Sequence, residues 1–226
     1  MLHTRYKMLR FGLVLAILAA GAYSLNALGS GGARSRTVCV PVARDAPAFE
    51  GMRGGSASGD APAVPFDLCE SDFTVSFRVK AASPGVLVNA SDGSYRNPRR
   101  GFVVALAAPG DPCGDSPPRA VAADYGGILA MNFGDGSSAG AGYCALWPLT
   151  DGAWHSVSVV VERGKQVSFW VDGQPPVAQG TSFRGDIRVP SVALGAEADG
   201  RFAGELRDVS IVGRALPQSD IEMLHR

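Results

Sequence analysis

Residues 154–171 read Trp-His-Ser-Val-Ser-Val-Val-Val-Glu-Arg-Gly-Lys-Gln-Val-Ser-Phe-Trp-Val, and the alternation inside them decides the fold. His155, Val157, Val159 and Val161 fall on one parity, and Val167, Phe169 and Val171 form a second apolar row after the Gly164 turn. Side chains that alternate every second residue lie on opposite faces of a strand, so this is a half-buried antiparallel hairpin. A two-residue turn at Gly164-Lys165 would set Val161 against Ser168, core against surface. A three-residue loop, Arg163-Gly164-Lys165, pairs Val161 with Val167 and Val159 with Phe169. Only the second register keeps both apolar rows on one face, and we predict it.

The same alternation recurs at Asp72–Lys80, where Phe73, Val75, Phe77 and Val79 oppose Thr74, Ser76, Arg78 and Lys80. Further strands are expected at Thr37–Val42, Val86–Ala90, Phe102–Leu106, Ile128–Phe133, Tyr143–Trp147 and Phe202–Ile211. Loops are expected at Gly51–Pro65, Ala108–Gly127 and Gly134–Gly142. Pro217 opens a short helical turn with Ile221 and Leu224 on one side, and no long helix is expected between residues 37 and 226. Many short strands joined by turns make an all-β sandwich or barrel. The 29 glycines and 15 prolines suit such a chain.

The N-terminus differs in kind. Arg5, Lys7 and Arg10 precede 18 uncharged residues, Phe11–Leu28, long enough for a membrane helix and longer than a typical signal-peptide core. The sequence divides into an anchor or signal segment at 1–28, a flexible linker at 29–36 with the Gly29-Ser30-Gly31-Gly32 tether, and one domain at 37–226. The basic residues before the run place the N-terminus in the cytoplasm and the domain in the periplasm or outside the cell. Small-residue sites such as Ala20-Gly21-Ala22 leave cleavage open, with an uncleaved anchor favoured.

Residues 1–44 carry six basic and no acidic residues, so the remainder holds 15 basic against 21 acidic residues. A net-acidic domain argues against nucleic acid as a partner. Cys39, Cys69, Cys113 and Cys144 contain no CxxC pair, which argues against zinc. Outside the cytoplasm they suit two disulfides. Three connectivities are open, and the Gly- and Pro-rich loops that they would close favour Cys39–Cys69 with Cys113–Cys144.

Three segments together resemble the laminin G-like, concanavalin A-like family. Gly152-Ala153-Trp154-His155 resembles its G-x-W-H strand start. Val167–Gly173 resembles the next strand with its Asp-Gly turn, and Phe202–Ile211 followed by Arg214-Ala215-Leu216 resembles the closing strand and tail. The resemblance is strong over 152–226 and extends to about residue 72. It implies a jelly-roll β-sandwich of two antiparallel sheets, and a family that binds proteins, glycans or calcium or, in some relatives, hydrolyses glycans. Fold alone therefore leaves function open.

The candidate sites follow from chemistry. His155 shares its parity with three valines, so it reads as a structural histidine facing the core rather than a base; His3 and His225 have no catalytic company. Related glucanases carry Glu-x-Asp-x-x-Glu; here Glu70-Ser71-Asp72 begins the pattern but Val75 ends it, so we expect no enzyme. Asn132, Asp135 and Asp151 are weak calcium candidates against ordinary Asp-Gly turn chemistry, and no other cofactor is implied. Trp154 and Trp170 face outward by parity and could stack on a sugar or anchor an interface. Arg96, Arg99 and Arg100 cluster on one loop and could grip an acidic partner. Asn89-Ala90-Ser91 is a glycosylation sequon. The leading expectation is a membrane-anchored module for protein interaction, an accessory subunit of a membrane complex, with a glycan-binding domain as the alternative.

Overall fold

The computed structural model describes residues 47–50, 59–60, 66–92, 98–108, 128–136, 140–189, 191–195 and 202–226. The apolar run 11–28, the linker, the expected strand at 37–42, and Cys39, Arg96 and Cys113 lie outside those residues. Among the described residues no helix is long and apolar enough to cross a membrane.

Among the described residues fourteen strands build two six-stranded antiparallel sheets and a two-stranded ribbon. The first sheet contains β1 (Pro47–Glu50), β4 (Phe73–Ala81), β9 (Trp154–Glu162), β10 (Gln166–Val171), β11 (Val177–Gly180) and β14 (Gly204–Val212). Its spatial order is β1-β14-β4-β9-β10-β11. The second contains β2 (Gly59–Asp60), β5 (Gly85–Ser91), β6 (Arg100–Ala107), β7 (Ile128–Asp135), β8 (Gly140–Leu146) and β13 (Ala193–Leu194), ordered β2-β13-β5-β6-β7-β8. The ribbon joins β3 (Phe66–Cys69) to β12 (Ile187–Val189). A short helix, α1 (Gln218–Leu224), follows β14.

The inner faces meet in one core. Phe73, Val75, Phe77, Val79, Val157, Val159, Val161, Val167 and Phe169 come from the first sheet, and Phe102, Val104, Leu106, Leu129, Met131 and Phe133 from the second. Phe73 and Phe102 bridge the sheets with ring centroids 5.3 Å apart. The predicted hairpin register holds: Val161 faces Val167 and Val159 faces Phe169. Gly164 supplies the positive φ, +64°, that its loop requires.

The sheets also close on each other along one edge. Gln179 of β11 uses its side-chain amide like a strand backbone, accepting from the Cys144 amide (3.3 Å) and donating to the Cys144 carbonyl (2.6 Å). At the other side of the hairpin loop, the backbone amide of Arg163 donates to Asp72 Oδ1 (2.8 Å), and its guanidinium donates to the carbonyls of Ser71 and Gly185. Burial pushes this guanidinium down to about 10, against the opposing charges of Asp72, Asp186 and Glu70. The Glu70-Ser71-Asp72 segment therefore serves as an anchoring point for Arg163.

One strand departs from simple alternation. In β14 the register slips between Arg207 and Ser210, and Asp208 has a φ of +53°. This bulge inserts a residue and rephases the strand. Leu206, Val209 and Ile211 all reach the core, while Arg207 pairs with Arg78 and Ser210 with Ser76 on the outer face.

Candidate functional site

The outer face of the first sheet is the side opposite the core, and it has two halves. One half is roofed. After β14 the chain turns back over the sheet: Thr74 Oγ1 donates to the Arg214 carbonyl (2.9 Å) and accepts from the Leu216 amide (3.0 Å). Arg214 reaches Asp220 at the start of α1 (3.3 Å). Ile221 then buries itself fully against Val160 and Trp170, with Ala215 and Leu216 alongside. Trp170 does point outward from the sheet, as its parity requires, but it is only 8% exposed. The expectation of an exposed stacking ring at Trp170 is thus corrected: the returning chain covers it.

No described residue roofs the other half. Cross-strand register sets Glu205, Lys80 and Trp154 in one row and Arg207, Arg78 and Ser156 in the next, spread over β14, β4 and β9. The Trp154 indole lies half-buried under two guanidiniums, Arg207 at 4.4 Å and Arg78 at 5.7 Å from the ring centroid. Such contacts contribute about 0.5–1 kcal/mol each at exposed sites. Glu205 pairs with both Arg207 (3.2 Å) and Lys80 (3.7 Å). Arg78 is exposed and meets no carboxylate among the described residues. Among the described residues the patch holds three cations and one anion around an aromatic ring. Arg78, Lys80 and Arg207 were not singled out from sequence; they join Trp154 only through the strand order and the β14 bulge.

At the end of the same strands His155 lies between two carboxylates. Its Nδ1 lies 2.7 Å from Asp172 Oδ2 and its Nε2 3.0 Å from Asp151 Oδ1, and the imidazolium can donate to both carboxylates at once. Burial opposes protonation of His155, but these two partners outweigh it and raise its pKa above 6.5. Asp151 is held below its ordinary value by the Ala153 amide and by His155. Asp172 also accepts from the Ser156 amide (2.8 Å) and, with Gly173, forms a turn with both φ values positive (+51° and +69°). His155 pairs across β4 with Val79, so it sits at the rim of the inner face rather than in the core, as a structural clamp. Its two nitrogens are both engaged, and no hydroxyl or thiol nucleophile bonds to it.

The calcium candidates do not converge. Asn132 pairs with Val103 and faces away from the core, whereas Asp135, three residues on, packs over Gly185. Gly185 bonds Arg163, past the last residue of β9, while Asp151 precedes its first. Nine extended residues span about 30 Å. No cluster of three metal-binding side chains occurs among the described residues. Arg99 and Arg100 are exposed at the Asp135 end, so they do not join the Trp154 patch. Asn89 lies inside β5 with its Oδ1 bound by both the amide and the hydroxyl of Ser91, a poor position for a sequon. Cys69 and Cys144 are both disulfide-bonded, and each favoured bridge has its other half, Cys39 or Cys113, outside the described residues.

Comparisons with known proteins agree with this architecture. A search of curated proteins found no match. Among solved structures, the binding domain of Paraclostridial Mosquitocidal Protein 1 is similar with a TM-score of 0.51 and 18% identity, covering 74% of this chain and 39% of that one. The binding domain of botulinum neurotoxin DC, solved in complex with rat synaptotagmin II, gives a TM-score of 0.50 at 9% identity, covering 69% and 35%. The serotype D/C binding domain gives 0.50 at 10% identity, covering 69% and 36%. This chain thus spans well under half the length of those chains, and at such identities the likeness concerns the fold. A laminin G-like family model, described as the concanavalin A-like lectin/glucanases superfamily, matches residues 53–222. The chain belongs to the concanavalin A-like lectin/glucanases superfamily as a laminin G-like domain.

Proposed function

We propose that this chain is a membrane-anchored, extracytoplasmic interaction module that docks on a protein partner as an accessory subunit of a membrane complex. The observation that carries the reading is this half of the outer face, where Trp154 lies under Arg207 and Arg78 and Arg78 meets no carboxylate among the described residues. Trp and Arg are the residues most enriched where binding energy concentrates. Among the described residues the excess of Arg78, Lys80 and Arg207 over Glu205 fits a partner surface that presents Asp or Glu side chains. The guanidinium stacked on Trp154 also occupies the ring face that a sugar would need, which favours protein over glycan. The similar solved structures are binding domains, in keeping with a binding role.

Residues 1–28 supply the anchor in this reading, residues 29–36 a tether, and the domain begins at 37. Cys39–Cys69 and Cys113–Cys144 would brace the domain outside the cytoplasm, in line with the oxidised state of Cys69 and Cys144.

The test is extraction of native membranes in mild detergent, purification through a tag after Arg226, and mass spectrometry of what is retained. A membrane protein held at fixed ratio, and lost with Arg78→Glu, is the expected result. Recovery of the chain alone, with binding on a glycan array, would replace the protein reading with the glycan one.

A further inference from the structure

We infer that His225 is a proton-operated latch that holds α1 over Trp170 and releases it on acidification. His225 follows α1, and its ring lies between two strands of the sheet. Nδ1 is 3.0 Å from the Gly173 backbone amide, and Nε2 is 2.9 Å from Ser158 Oγ. A backbone amide can only donate, so Nδ1 must be the unprotonated acceptor. The ring proton then sits on Nε2 and donates to Ser158. The latch is therefore closed only when the imidazole is neutral. A second proton would put an N–H at Nδ1 directly against the Gly173 N–H.

The surroundings decide which way the balance lies. Burial favours the neutral ring, and the charge of Asp172 opposes it, with burial the larger effect. Asp172 is poorly placed to rescue a charged ring, because its Oδ2 already binds His155 and its Oδ1 the Ser156 amide. His155, itself inclined to protonate, adds positive charge nearby. On β4, Arg78 pairs with Ser156, two residues along β9 from Ser158, and adds more. On the helix side Glu222 bonds Gln218, and Arg226 follows His225.

Little else holds α1. It has seven residues, no side-chain cap, and one fully buried side chain, Ile221. Met223 and Leu224 are 61% and 48% exposed. Opening the latch thus leaves a short helix held by Ile221 on Val160 and Trp170 and, at its start, by the Arg214–Asp220 pair and the bonds of Thr74 to Arg214 and Leu216. Its release would uncover the second half of the outer face, independently of what the Trp154 half binds.

The experiment uses the full chain in detergent micelles with Trp147→Phe and Trp154→Phe, so that Trp170 is the sole indole. Acrylamide quenching of its fluorescence is followed from about pH 8 to about pH 5, the range in which histidine titrates. The expected result is a several-fold rise in quenching with a midpoint below 6.5, the ordinary histidine value. His225→Asn, which keeps an acceptor near Nδ1 but cannot titrate there, should abolish the transition and leave Trp170 shielded throughout. His155→Gln should retain it. Unchanged shielding across the range would overturn the latch. So would a transition that survives His225→Asn, or one lost in His155→Gln alone.

Discussion

Trp154 and Trp170 lie on neighbouring strands and point to the same side of the same sheet, yet they do different work. Trp170 is covered by Ile221 and belongs to a small satellite core with Val160. No described residue roofs Trp154, which is instead stacked with Arg207 and Arg78. The difference lies in the chain that returns after β14. It crosses β4 at Thr74 and reaches β9 at Ser158 and the turn after β10 at Gly173, so it covers one half of the face. Outward parity therefore means surface only where no later segment folds back.

The comparison breaks most sharply by truncating each ring. Trp170→Ala should cost about 3–5 kcal/mol, as for a buried aromatic. Trp154→Ala should cost about 1–2 kcal/mol, the scale of its two exposed cation–π contacts. Thermal unfolding in the same buffer measures both, and equal losses would erase the distinction between the halves. Removing the roof instead of the ring comes next: Ile221→Ala should cost about 2–4 kcal/mol and make Trp170 accessible to quencher while leaving Trp154 unchanged. Thr74→Val removes two hydrogen bonds to the returning chain and should cost about 1–2 kcal/mol in denaturant unfolding.

The smallest expected effect is on the pH profile. The pKa of His155 is raised in the folded state, so its contribution to stability is fully present below 6.5 and is lost as pH rises through the folded value. The pKa of His225 is lowered, so unfolded chain takes up protons first and stability falls as pH drops below 6.5. His155→Gln should therefore selectively weaken the protein on the acidic side, and His225→Asn should flatten its acid decline. Urea unfolding as a function of pH reads both; identical profiles for the two variants would contradict the opposed signs.

Much of this was legible in the sequence where one physical rule acts alone. Period-two alternation located β4, β9 and β10, and matching the apolar rows chose the hairpin register that is found. The short strands β3, β11, β12 and β13 escaped, because two to four residues carry too little alternation to separate them from loops. Gly59–Asp60 likewise pairs as a strand inside a stretch read as loop. The site was half visible. Trp154 stood out as an outward aromatic, but Arg78 and Arg207 meet it only through strand neighbours distant in sequence and a bulge at Asp208 that alternation does not announce. The roof over Trp170 was the converse failure: Ile221 was seen as one side of a helical turn, but what that side covers depends on where the chain returns.

Charge reversal at Arg78, which meets no carboxylate among the described residues, probes whether the Trp154 half of the outer face docks a partner. Tagged wild-type, Arg78→Glu and Trp154→Ala chains would be purified from native membranes side by side, with the recovered partner quantified against the chain. The account predicts a fixed-ratio partner with wild type and at least about a 30-fold weaker association with either variant, the loss expected for a hot-spot residue, while each variant keeps its thermal unfolding close to wild type. Full partner recovery with both variants would contradict it and move the interface off this face.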